Sequence, residues 1–135
     1  MGLDVSHDAW HGAYSAFTRW RNRLAEAAGY EIAKIEGGGP PLILIDWGHI
    51  VEKNYYGEWD STPIDPLILL IAHSDCDGML TPEHASLVAD RLTELLPLLP
   101  DEPEAGHIRN MRAKTQQFID GCLLAAANGE QLEFA

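Results

Sequence analysis

The chain has 135 residues, 46% of them hydrophobic and 22% charged, which describes one compact domain spanning 1–135 and excludes a disordered tail. Nine basic and 21 acidic side chains leave a formal charge of −12, which argues against gripping duplex nucleic acid through distributed basic charge. No run approaches the ~20 apolar residues of a membrane span and no signal-peptide pattern opens the sequence. Two cysteines, Cys76 and Cys122, are too few for a disulfide framework, so a reducing cytoplasm is the expected compartment. Almost all of the negative charge lies between Asp46 and His107, where thirteen acids face only Lys53 and Arg91.

In chain order, the first element is an amphipathic helix. Trp10, Tyr14, Phe17, Trp20, Leu24 and Ala28 recur at steps of three or four, with Ser6 or Asp8 available as a cap and Gly29 as a stop. The ordinary role of such an aromatic stripe is core packing; an aromatic ligand platform is the alternative. Gly37-Gly38-Gly39-Pro40-Pro41 reads as a loop. Two continuous apolar runs, 42–45 and 67–72, have the length and lack of alternation of strands buried on both faces. The segment 47–66 between them reads as a long irregular excursion.

Thr81-Pro82 predicts a second helix, with Val88, Leu92, Leu95, Leu96 and Leu99 on its apolar face. A third is expected from about His107 to Asn128, its face formed by Ile108, Met111, Thr115, Phe118, Ile119, Cys122 and Ala126, and Gly129 as its stop. Leu132 and Phe134 suit a short closing strand. The fold class expected is α/β in the mixed α+β sense: a small sheet of two to three short strands, including 42–45 and 67–72, packed by three principal helices.

His73-Ser74-Asp75-Cys76-Asp77-Gly78 is the segment richest in chemistry. His73, Asp75 and Asp77 alternate, which puts them on one side of an extended chain or lets them converge in a tight loop. Read as a calcium loop of the EF-hand type, the segment has His73 and His84 where acids belong, so a working EF-hand is not expected. His73, Asp75, Asp77 and Gly78 also match the H-x-D-x-D-G motif that, in DHH phosphoesterases, holds manganese. The candidate metal ligands are therefore His73, Asp75 and Asp77, for a divalent ion such as Mn, Zn, Mg or Ca. The alternative is an ordinary Asp/Gly turn with a hydrogen-bonded histidine. Acid flanks on Cys76 disfavour a thiolate nucleophile.

Elsewhere, Asp4, His7 and Asp8 precede the first helix, where capping is the ordinary role, and His11 lies four residues from His7, on the same side if the helix starts early enough. Asp46 and His49 follow the first apolar run and would join Asp75 if the two runs were parallel neighbours. Gly106-His107 opens the third predicted helix beside Arg109, Arg112 and Lys114, a setting that suits an anion.

Taken together, Gly2 to His7 with Trp10 and Gly12-Ala13-Tyr14, then His73 to Gly78, then Gly106-His107 and Lys114 with Phe118-Ile119 resemble a group of small bacteriophage and prophage proteins containing an HSDCDG segment. The resemblance spans most of the chain and implies genomic context rather than chemistry. Small phage proteins often blunt host defences, and some bind or degrade nucleotide signals, which would place this one in the cytoplasm of the bacterial host.

Three readings follow. In the first, an accessory protein binds a small polar ligand, such as a host nucleotide signal, in a pocket lined by His7, Trp10, Tyr14, His73, Asp75 and His107. In the second, a small metal-dependent hydrolase uses His73, Asp75 and Asp77. In the third, an acidic module docks on a host protein. Neither a membrane nor duplex nucleic acid is an expected partner, and self-association stays open.

Overall fold

The computed structural model describes residues 2–30, 54–59, 61–99 and 110–135, together with the backbone of 32–34, 41–43, 104–105 and 108–109. It is a mixed α+β fold with three principal helices, the class expected from the sequence. Strands β1 (Gly2–Val5) and β2 (Trp10–Ala13) form a hairpin in the register Val5↔Trp10 and Gly2↔Ala13. Helix α1 (Tyr14–Ala27) follows directly, and β3 (Ile32–Lys34) then pairs antiparallel with β4 (Pro41–Ile43). A single turn of helix, α2 (Ile68–Ile71), precedes β5 (Met79–Leu80) and α3 (Pro82–Leu95), which ends in a 3-10 turn at Leu96–Leu98. The antiparallel pair β6 (Glu104–Ala105) and β7 (Ile108–Arg109) leads into α4 (Met111–Asn128), and β8 (Leu132–Glu133) closes on β5.

Two expectations need correction. The run 67–72 is helical, not a strand. Its start is organised by Asp65, whose Oδ1 accepts the Leu67 amide at 2.9 Å while its carbonyl accepts the Ile68 amide. Leu67, Leu69, Leu70, Ile71 and Ala72 are all buried, so the run carries no periodicity that separates a buried helix from a buried strand. The strand over 42–45 survives at its start, as part of Pro41–Ile43; residues 44 and 45 lie outside the described residues.

The first helix is also shorter than predicted. It starts at Tyr14, with Ala13 at its N-cap and no side-chain cap, so Ser6 and Asp8 do not cap it. Trp10 belongs to β2, yet it still stacks on Trp20 at 5.0 Å and meets Phe17 edge-on at 5.2 Å, because β2 runs straight into α1. The aromatic stripe is therefore core. Trp20 reaches Phe118 of α4 at 4.9 Å, and its Nε1–H donates to Thr115 Oγ1 at 2.9 Å. The third predicted helix starts only at Met111, because Ile108–Arg109 pair with Glu104–Ala105 as strands. Two helix signals stand as the sequence suggests. Thr81 Oγ1 caps α3 by accepting the His84 amide at 3.1 Å, and Gly129, at φ 67°, ends α4.

The C-terminal segment stitches the sheet edges together. It pairs with β5 on one side, while backbone bonds join Asp4 to Ala135 and Ser6 to Glu133 on the other, so residues 132–135 tie the β1–β2 hairpin to β5. A second fastening lies at the far end of α1. Tyr30 donates to Asp65 Oδ2 at 2.6 Å, and Arg91 of α3 donates to Asp65 Oδ1 at 3.0 Å.

Close packing of the hairpin tip on α4 requires Gly121. A Cβ there would lie 2.5 Å from the Ala9 Cβ and 2.8 Å from its Cα, inside any tolerable contact. Gly121→Ala is therefore expected to cost about 1–3 kcal/mol by overpacking despite its better helix propensity. Denaturant titration checks this, and a neutral or stabilising effect would show that the hairpin is not seated on α4.

Candidate functional site

The predicted cluster at 73–78 is built as a clamp. His73 is 3% exposed, with its ring stacked on Phe134 at 4.0 Å between centroids. Both ring nitrogens face backbone carbonyls, Nδ1 at 2.9 Å from Ser74 O and Nε2 at 2.9 Å from Met79 O. Neither nitrogen is open to a metal or ligand in this arrangement. Ser74 Oγ accepts the amides of Cys76 and Asp77 and donates to Asp77 Oδ1 at 3.2 Å, which makes a side-chain-closed turn. Gly78 completes it at φ 95°, where a Cβ would press on His73 and Tyr56 at 3.0 Å. Asp75 is half-buried and Asp77 exposed. Among the described residues, no three His, Cys, Asp or Glu side chains are grouped to hold one ion.

Beneath the turn lies Arg21. Its Nη1 donates to the carbonyls of Leu70, Ile71 and His73, at and just past the end of α2, and its guanidinium sits 4.5 Å from the Phe17 centroid. Burial pushes its pKa down to about 10, and the Asp75 carboxylate works in the opposite direction. The structure thus makes Asp75 a counter-charge to a buried cation.

Of the other predicted ligand residues, Trp10 is 2% exposed and sealed in the core, and Tyr14 is half-buried against it. Asp46, His49 and His107 lie outside the described residues. Cys122 is buried, which pushes its thiol pKa up and makes it inert.

His7 stands in a different setting. His7 and Asp8 are the two central residues of the hairpin turn, at φ 60° and 59°, closed by the Ala9 amide donating to Ser6 O. Such turns are normally made by Asn-Gly or Gly-Gly, and a non-glycine residue held there costs about 1–3 kcal/mol. The strain is held by contacts from α4 and the segment after it. Gln117 donates to Asp8 O at 2.8 Å, and His7 Nε2 meets Glu130 Oε1 at 3.0 Å. Ser6 Oγ lies 2.8 Å from His7 Nδ1. His11 bridges Asp4 at 2.8 Å and Asp8 at 2.6 Å, and these two hydrogen bonds raise its pKa. Between the turn and α4 opens a cleft of about 630 Å³, lined by His7, Asp8, Gln116, Gln117, Asp120 and Leu124 among others.

Sequence reasoning placed His7 in a ligand site but missed Ser6, Gln116, Gln117, Asp120 and Glu130. The three polar α4 positions are spaced as one helix face, but nothing local says that the hairpin lies across it. Compared with known proteins, the chain matches no family model, no curated protein and no solved structure.

The clamp has a pH signature. Burial pushes the His73 imidazole below its ordinary value, only partly offset by the carbonyls of Ser74 and Met79 and by Asp77, while Arg21 adds to the depression. A base with a folded-state pKa below its unfolded value is fully stabilising above the unfolded value, and that stability is lost as pH falls below it. His84 is shifted in the same direction by burial, and exposed His11 in the other. Denaturant midpoints should therefore fall between about pH 7.5 and about pH 5.5, and fall less in His73→Gln. An equal fall in the variant would remove His73 from the account.

Proposed function

We propose that the chain is a binding protein of the phage-accessory kind and that it captures a small polar ligand in the cleft between the His7–Asp8 turn and α4. The observation that carries the reading is the strained turn. Two adjacent non-glycine residues are kept left-handed, and their side chains wall a cleft in the size range of small-molecule sites. The turn sets the His7 and Asp8 side chains side by side on that wall.

The lining favours one charge class. Asp8 and Asp120 supply carboxylates, Gln116 and Gln117 supply amides, and Ala113 with Leu124 supplies an apolar floor. Such a set suits an amine or guanidine with an aliphatic body. A host nucleotide signal remains within the proposal, with its base and ribose in the cleft and its phosphates turned outward or matched by a divalent ion. The counter-defence role and the bacterial cytoplasm as its compartment belong to the same proposal and rest on the resemblance. No helix among the described residues is long and apolar enough to cross a membrane. One observation favours a second reading, docking of a basic host protein: Tyr55 and Tyr56 are 40% and 48% exposed, with Asp77 acting on the Tyr56 hydroxyl.

Calorimetry with spermidine, agmatine and a nucleoside monophosphate, each with and without magnesium, tests the cleft. Binding of an amine, weakened about tenfold or more by Asp120→Asn and unchanged by His73→Gln, is expected. Absence of binding, or binding indifferent to Asp120→Asn, would sink the proposal.

A further inference from the structure

The bonds around His7 have a direction that binding alone does not require. Glu130 accepts from His7, and this hydrogen bond is the main reason its carboxyl titrates below the ordinary range. An ionised Glu130 accepts the proton of Nε2, which leaves Nδ1 with a free lone pair. That lone pair faces Ser6 Oγ at 2.8 Å. On its other side Ser6 Oγ accepts the amide of Glu133, also at 2.8 Å, so the hydroxyl proton is the one directed at His7. With a neutral His7 beside an ionised Glu130 the order runs one way: the Glu133 amide donates to Ser6, Ser6 to His7, and His7 to Glu130.

This is a nucleophile, a base and a carboxylate that holds the base's tautomer, the arrangement recognised by geometry and roles rather than by chain order. The amides of His7 and Asp8, the central pair of the turn, are not spent on the turn's closing bond, which uses Ala9. His7 itself lines the cleft, and its side chain is only 15% exposed, shielded from bulk water.

We propose that Ser6 is an acyl-accepting nucleophile, with His7 as its general base and Glu130 as a positioning residue, acting on small esters whose polar or cationic body occupies the cleft that His7 lines and that Ser6 adjoins through its bond to His7. The proposal rests on the cleft being the ligand site. Ser6 Oγ attacks the ester carbonyl carbon while His7 Nδ1 takes the hydroxyl proton. The C–O bond to the leaving alcohol then breaks, and His7 returns the proton to that alkoxide. Water, deprotonated by His7, attacks the acyl-serine, and the proton goes back to Ser6 Oγ as the acid departs. The balance is ester plus water to acid plus alcohol, with no other reactant.

A small fluorophosphonate tests the nucleophile independently of ligand capture, since its phosphorus–fluorine bond breaks as the serine oxygen bonds to phosphorus. Intact-mass and peptide mass spectrometry of the native protein should show one adduct, on Ser6, absent from Ser6→Ala and from urea-unfolded protein. His7→Gln should slow labelling about 100-fold or more. Glu130→Gln should slow it less and move the pH profile of the labelling rate to lower pH, which a merely structural contact would not do. Circular dichroism of each variant separates loss of the fold from loss of reactivity. An unlabelled native protein, or an adduct spread over Ser15, Ser61, Ser74 or Ser86, overturns the proposal. Amine binding without labelling removes the nucleophile and leaves the cleft standing.

Discussion

A guanidinium taken out of water costs several kcal/mol unless its donors are met, and Arg21 sits beneath the 73–78 turn in that condition. The cost is offset by the carbonyls of Leu70, Ile71 and His73 at and just past the end of α2, by the face of Phe17, and by the charge of Asp75. Much of the remaining architecture hangs on that arrangement. With its carbonyl fixed, His73 can turn its ring to the carbonyls of Ser74 and Met79 and lie flat on Phe134. Phe134 belongs to the segment that zips β1 to β5, and that segment supplies Glu133 to Ser6. A single buried cation thus reaches, through four contacts, the strained turn at the opposite edge.

This division of labour separates a stiff half from a chemically exposed one. The His/Asp segment that looks most reactive has its imidazole enclosed between two carbonyls and its serine spent on closing a turn, an arrangement that ties α2, β5 and the C-terminal strand together. The hairpin turn keeps unfavourable backbone angles at His7 and Asp8 and leaves their side chains on a cleft. Strain is stored where the surroundings over-determine it. Here the surroundings are α4, through Gln117 and Gly121, and Glu130 just beyond it.

The helices were largely legible because their signals are local. Thr81 with Pro82, Gly129, and the spacing of Phe17, Trp20 and Leu24 each report on one turn of chain. The run 67–72 was not legible, since burial on every side erases the period that would separate helix from strand. The hairpin was missed because His-Asp is a poor sequence for a turn with two positive φ angles. Packing of Ala9 on Gly121, the pairing of residues 133–135 with β1, and the contacts of Gln117 and Glu130 with the turn make it worth forming. The bond between His7 and Glu130 spans 123 positions, and no spacing rule reaches that far. His73, by contrast, stands out in the sequence, but the two carbonyls its ring faces do not, because they come from a fold the sequence does not display.

The central claim is that Arg21 organises residues 70–79 and, through them, the C-terminal strand. Replacing it by methionine keeps the length and removes the donors, and burying an apolar group there can leave global stability little changed, so a local measurement is needed. Amide hydrogen exchange on Arg21→Met, followed residue by residue, provides it. The account predicts exchange faster by about tenfold or more at His73, Ser74, Met79 and Phe134, with protection along α3 and α4 retained. Uniform loss of protection across the chain, or unchanged protection at those four amides, would contradict it.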